Sequence, residues 1–239
     1  MHAKTWRGGI VLLLCLSAGI VDVIGYIHLG QVFTANMTGN IVILGMSFAN
    51  VAELSLLRAG LACIGFIAGN AAAAFLLSGD KAKGFWPARI TLILFIQLGL
   101  YSIFAAICGP VMTETLLHVL IMLLSSAMGM QTTAARKLGV AGISTTVLTN
   151  NLASAIEDFV VFFRKKFARK RESGTISGET RLRCASVAIY CFGALVAGVA
   201  EIHRPFSAIW MPIFAMVVIL IVALNLFRGL DENGNPYTE

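Results

Sequence analysis

Six stretches of this chain, 8–29, 57–79, 90–108, 112–134, 185–203 and 206–227, are apolar almost throughout. Each is close to the roughly 20 residues a helix needs to cross the hydrocarbon core of a bilayer. Lipid offers backbone groups no hydrogen bonds, so a spanning chain must be helical or close into a barrel. The alternating pattern of a barrel strand is absent. The runs therefore predict an all-α, polytopic transmembrane helical bundle, a single membrane domain over residues 1–239. Composition agrees: 58% of residues are hydrophobic and 13% charged, against about a quarter charged in ordinary soluble domains. The lipid bilayer is the first partner this implies.

The basic residues sit between the runs. Lys4 and Arg7 precede the first, Lys81, Lys83 and Arg89 separate the second from the third, and "RKKFARKRESGTISGETRLR" occupies 164–183. With six crossings all three groups fall on one side, which the bias of Lys and Arg makes the cytoplasm. The chain is expected in a bacterial inner membrane with both termini cytoplasmic. The net charge of +6 then reports topology, not nucleic-acid binding, and 164–183 reads as a cytoplasmic loop near anionic headgroups. The opening "MHAKTWRGGIVLLLCLSAG" lacks a cleavage pattern of small residues and reads as a retained first span.

Two further segments, 31–50 and 139–163, are polar in their first halves and apolar in their second. If 31–50 crossed fully, the loop at Lys81 would move outside. About six crossing helices plus two re-entrant or broken segments satisfy the charge bias better.

The halves also resemble each other. "TANMTGN" aligns with "TTVLTNN", matching Thr34 with Thr145, Thr38 with Thr149 and Asn40 with Asn151. Upstream, "SAGIVD" aligns with "SAMGMQ", placing Asp22 opposite Gln131, and "CIGFIAG" from residue 63 resembles "CFGALVAG" from residue 191. A first repeat over 8–108 and a second over 112–228 each hold three crossings, so the second copy is inverted relative to the first.

Non-helical backbone at membrane depth survives only where protein or a water-filled cavity satisfies it. The two Thr/Asn segments are expected to enter from opposite sides as partly unwound stretches that become half-helices. Half-helix N-termini, with free N–H groups and partial positive charge, suit the polar part of a small solute. The candidate solute site comprises Asp22, Thr34, Asn36, Thr38, Asn40, Gln131, Thr145, Thr149, Asn150 and Asn151. The plainer reading is that these side chains only hydrogen-bond neighbouring helices, at about 1 kcal/mol apiece. Asp22 is the most informative: an ionisable group inside a span costs a few kcal/mol and ordinarily faces a partner or cavity. Protons are therefore a candidate coupling ion. Cys15, Cys63, Cys108, Cys184 and Cys191 have no metal-type spacing, and no cofactor or metal is expected. Neither a nucleophile–base pair nor a phosphate loop is present, so enzyme activity is disfavoured.

The stretches "GIVDVIGYIHLGQVFTANMTGNIVILG" and "SAMGMQTTAARKLGVAGISTTVLTNNLASAIEDF", with the glycine-bearing span at 63–69, resemble the YoaK-like family of bacterial inner-membrane proteins of unknown function. The resemblance covers nearly the whole chain and implies a polytopic membrane protein without implying a substrate. The leading expectation is a small transporter or permease. A re-entrant-helix channel and a non-transport sensor or assembly factor are the alternatives, and homo-oligomerisation is left open.

Overall fold

The computed structural model describes residues 2–49, 55–78, 86–140, 148–167 and 176–227. Among these, eight α-helices and one 3-10 turn account for nearly all the regular structure, and no strand occurs. They are α1 (His2–His28), α2 (Met37–Phe48), α3 (Leu56–Ser78), α4 (Ala88–Ile107), α5 (Glu114–Leu138), α6 (Leu148–Phe167), α7 (Gly178–His203) and α8 (Trp210–Leu226), with Ser207–Ile209 as the turn before α8. Six helices, all but α2 and α6, are long and apolar enough to cross a membrane. At 1.5 Å per residue the 12 residues of α2 reach only about 18 Å, well short of a bilayer core. α6 has the length but carries Glu157, Asp158 and Arg164 among its apolar residues.

Helix ends follow local chemistry where they depart from the apolar runs. The fourth span continues past residue 134 to Leu138, where Gly139 at φ 61° takes the left-handed conformation that closes the helix. The stretch 164–183, expected as loop, is partly helical. Ser177 accepts a hydrogen bond from Thr180 N and starts α7 there, and Arg183 is drawn onto Asp158 of α6 at 2.8 Å.

Backbones approach closely along two seams, α1 against α7 and α3 against α5. A Cβ at Gly19 would overlap the Tyr190 carbonyl oxygen, and one at Gly193 would lie 2.6 Å from that of Leu16. On the other seam a Cβ at Gly129 would overlap the Phe66 carbonyl and one at Gly69 that of Ser126. Small residues let helices dock through dispersion where lipid removes the hydrophobic drive.

The seams are also registered alike. Residues 9–27 of α1 and 119–137 of α5 show the same order of buried, half-buried and exposed positions. In α3, Ala62, Gly69, Ala73 and Leu77 are buried at the spacing of Ser186, Gly193, Ala197 and Glu201 in α7. This register pairs Gly19 with Gly129 and Phe66 with Tyr190. It also moves Asp22 from Gln131 to Thr132: matching letters are a weaker guide than matching burial in so apolar a sequence. The outward faces carry Ile67, Phe75, Leu195, Ile202 and Phe214, all more than half exposed, as lipid contact requires.

Candidate functional site

Past His28 the chain turns through two left-handed residues, Gly30 at φ 82° and Gln31 at φ 61°. Glycine adopts this region without strain. The turn folds residues 32–35 back along α1, so close that a Cβ at Gly25 would sit 2.7 Å from the Val32 carbonyl oxygen. Backbone N–H groups in this irregular stretch then need partners, and side chains supply them.

Asp22 is the principal one. It is 3% exposed, and its Oδ1 accepts hydrogen bonds from Thr34 N at 2.8 Å, Ala35 N at 2.6 Å and Thr34 Oγ1 at 3.4 Å. Its Oδ2 accepts from the Tyr190 hydroxyl at 2.6 Å. Asn40, buried in the first turn of α2, accepts from Phe33 N at 2.8 Å through Oδ1 and donates to Phe33 O at 2.5 Å through Nδ2. Asn36 caps α2 by accepting from Gly39 N at 3.3 Å. The polar letters of "FTANMTGN" thus satisfy the backbone of a helix break. Thr38 is exposed and outside this network.

Asp22, Thr34, Asn36 and Asn40 come together; the other predicted residues lie elsewhere. Gln131 accepts from Gln97 Nε2 at 2.8 Å and donates to Leu14 O at 3.0 Å, and Gln97 also donates to the Tyr101 hydroxyl at 2.8 Å. This second buried network ties α5 to α1 and α4. Asn151 is buried and donates to Ser186 Oγ on α7 at 3.0 Å. Thr149 and Asn150 are exposed, and Thr145 lies outside the described residues.

Tyr190 is the participant that sequence reasoning passed over. A phenol in the middle of an apolar span needs a hydrogen-bond acceptor, which was the available signal. Glu201, near the end of α7, is a second buried carboxylate. It is 2% exposed, and its Oε1 accepts from Ala208 N at 2.8 Å at the start of the 3-10 turn. Its Oε2 lies 2.8 Å from His28 Nε2.

Beside the Asp22–Tyr190 pair is a cleft of about 440 Å³ between α1, α7 and the turn, lined also by Gly19, Phe33 and Gly198. The rings of Tyr26 and Phe33 stack at its rim with centroids 5.4 Å apart. Tyr26 is 48% exposed, so the cleft opens on an outer face of the bundle. No Lys, Arg or His pairs with Asp22 among the described residues. Nor does any group of three His, Cys, Asp or Glu among them converge as metal ligands would.

The chain is similar over most of its length to known proteins. It is 41% identical over 231 residues, 96% of this chain and 99% of the relative, to the UPF0700 transmembrane protein YoaK of Bacillus subtilis (strain 168). No solved structure matches it. The family model for the protein of unknown function DUF1275 matches residues 10–222. With six helices apolar enough to cross a bilayer and that match across nearly its whole length, the chain is a transmembrane member of the DUF1275 family.

Proposed function

We propose that the protein is a small transporter or permease for a small solute, with Asp22, Tyr190 and the Thr34–Asn40 break forming the working site. The observation that carries this is a carboxylate 3% exposed inside a membrane span, bound to non-helical backbone and lining a cleft. Broken helices and intramembrane carboxylates are costly, and proteins retain them where a solute or ion passes. A carboxyl group in that position gives protons a place to couple.

Two features support the arrangement around it. Three spans per half, docked as α1 on α7 and α3 on α5 with matching burial, favour an inverted repeat whose halves can rock against each other. Arg7, Arg89, Arg136, Lys137, Arg181 and Arg183 lie near the ends of spans that face the same side if each span crosses once. That bias favours an inner-membrane protein with its N-terminus in the cytoplasm.

Proteoliposomes with a trapped pH dye test the reading. Challenged under an inward proton gradient with a panel of amino acids, sugars, organic anions and organic cations, the native protein is expected to move protons with one class. Asp22→Asn, checked to be folded and monodisperse, is expected to lose that movement. Solute flux without a gradient and unchanged by Asp22→Asn would identify a channel, and flux with no member of the panel would overturn transport in favour of a sensor or assembly factor.

A further inference from the structure

The cleft beside Asp22 has a chemistry narrow enough to name its occupant. Its volume, about 440 Å³, lies within the range of small-molecule sites. Its walls are almost entirely apolar, and Asp22, Tyr26 and Tyr190 are the residues along them that carry polar groups. A sugar or zwitterion would leave most of its polar groups unpaired there. An anion would meet the carboxylate.

A cation on an apolar body fits each feature. Asp22 has no basic partner among the described residues to balance its ionised form. Its Oδ1 is anchored by backbone donors, whereas Oδ2 holds a single hydrogen bond, from Tyr190. A carboxylate oxygen has two lone pairs, so Oδ2 can face an incoming charge without releasing the turn. The stacked Tyr26 and Phe33 rings beside it offer π faces to the same charge. Gly19 and Gly198 keep the wall thin, and the open side carries Tyr26 and Ile27, each about half exposed in a region otherwise bounded by lipid-facing residues.

We propose that this cleft binds an amphiphilic organic cation, a protonated amine or onium group on an apolar body, admitted from the hydrocarbon side between α1 and α7. Movement of the bound cation across the membrane rests on the transport reading; the binding itself stands on the cleft.

Equilibrium binding to purified protein in detergent tests it, with tetraphenylphosphonium as probe and tetraphenylborate as the anion of the same shape. Native protein is expected to bind the phosphonium saturably and the borate at least about tenfold more weakly. Asp22→Asn removes the ionisable group. Gly198→Leu fills the cleft at a position where an added Cβ meets nothing within 4 Å, so it leaves the helix seam intact. Each is expected to weaken phosphonium binding by about tenfold or more, since both charge and aromatic contact are lost or blocked. Should Asp22→Asn fail to fold, Gly198→Leu decides alone.

Equal binding of cation and anion, absence of saturable phosphonium binding, or unchanged affinity in Gly198→Leu would overturn the assignment. If the phosphonium fails to bind while another solute class moves protons through Asp22, the ligand class falls and transport stands. If it binds at the cleft but no proteoliposome flux is seen, transport falls and the site stands.

Discussion

The α1–α7 and α3–α5 seams are built on one plan and carry different chemistry. Gly19 and Gly193 let α1 meet α7 as Gly129 and Gly69 let α5 meet α3. At the next turn the plan diverges: Asp22 meets Tyr190 on one seam, where the matching positions on the other are Thr132 and Phe66. The α3–α5 seam is closed by hydroxyl-to-carbonyl bonds, Ser126 Oγ to Gly65 O at 3.1 Å and Thr133 Oγ1 to Asn70 O at 3.3 Å. The α1–α7 seam holds a carboxylate, a folded-back turn and a cleft. Shared packing sets where the helices sit, and a few polar residues on the α1–α7 seam set it apart from the other.

The glycines test the shared part, with the largest expected effect. Gly19→Val and Gly129→Val each place a branched side chain against a neighbouring carbonyl, so each is expected to destabilise by roughly 3 kcal/mol or more. Thermal unfolding of the purified variants in detergent reads this. Comparable losses on both seams sharpen the equivalence, and a neutral result at either glycine would break it.

Asp22→Ala and Thr132→Ala test the divergence. Removing the Asp22 carboxylate strands the Thr34 and Ala35 N–H groups in a buried site, at about 2–3 kcal/mol. Thr132 Oγ1 donates to Met128 O of its own helix at 2.8 Å, and removing one neutral hydroxyl inside a membrane bundle is expected to cost about 1 kcal/mol or less. Similar melting shifts for the two variants would show that the seams do not differ in what they hold. Asn40→Ala comes next at about 2 kcal/mol, since Asn40 satisfies both groups of the Phe33 peptide. Hydrogen exchange at residues 33–40 should quicken in that variant, and unchanged exchange would remove Asn40 from the support of the turn.

The parts of this picture legible in the sequence are those a single local rule determines. Six apolar runs near bilayer length predict six spanning helices, and the described residues hold six helices long and apolar enough to cross, at 5–28, 56–78, 88–107, 114–138, 178–203 and 207–226. The polar start of 31–50 marks a helix break because nothing else satisfies backbone inside lipid, and α2 accordingly begins only at Met37. Partners from distant segments were not legible. Tyr190 reaches Asp22 across 168 positions of chain, and only helix packing brings them together. Gln131 aligned with Asp22 through neighbouring letters, yet it pairs with Gln97 and Leu14 and sits one residue before the position whose burial matches Asp22. Glu201 stands beside His203 and Arg204 in the sequence, yet the turn after α7 folds the Phe206 and Ala208 N–H groups onto its carboxylate.

Tyr190→Phe is the finest cut through the same comparison and has the smallest expected effect on stability. It leaves the ring, and so the packing of α7 on α1, while deleting one donor to Asp22 Oδ2. A hydrogen bond between membrane helices contributes about 0.5–1.5 kcal/mol, which sets the expected loss. It also makes the α1–α7 seam match the other one at this position, where Phe66 already stands. If Tyr190 serves only packing, Tyr190→Phe melts slightly earlier and binds tetraphenylphosphonium as the native protein does. If the hydroxyl orients Oδ2 toward the cleft, the melting shift stays small while phosphonium affinity changes severalfold, because the carboxylate is freed to turn without being lost. Phe66→Tyr on the opposite seam adds a phenol where Thr132 takes the place of Asp22, and it is expected to leave phosphonium binding unchanged. An equal change in binding from both tyrosine–phenylalanine exchanges would mean that the hydroxyl acts through general loosening of the bundle, and the distinction between the seams would then rest on Asp22 alone.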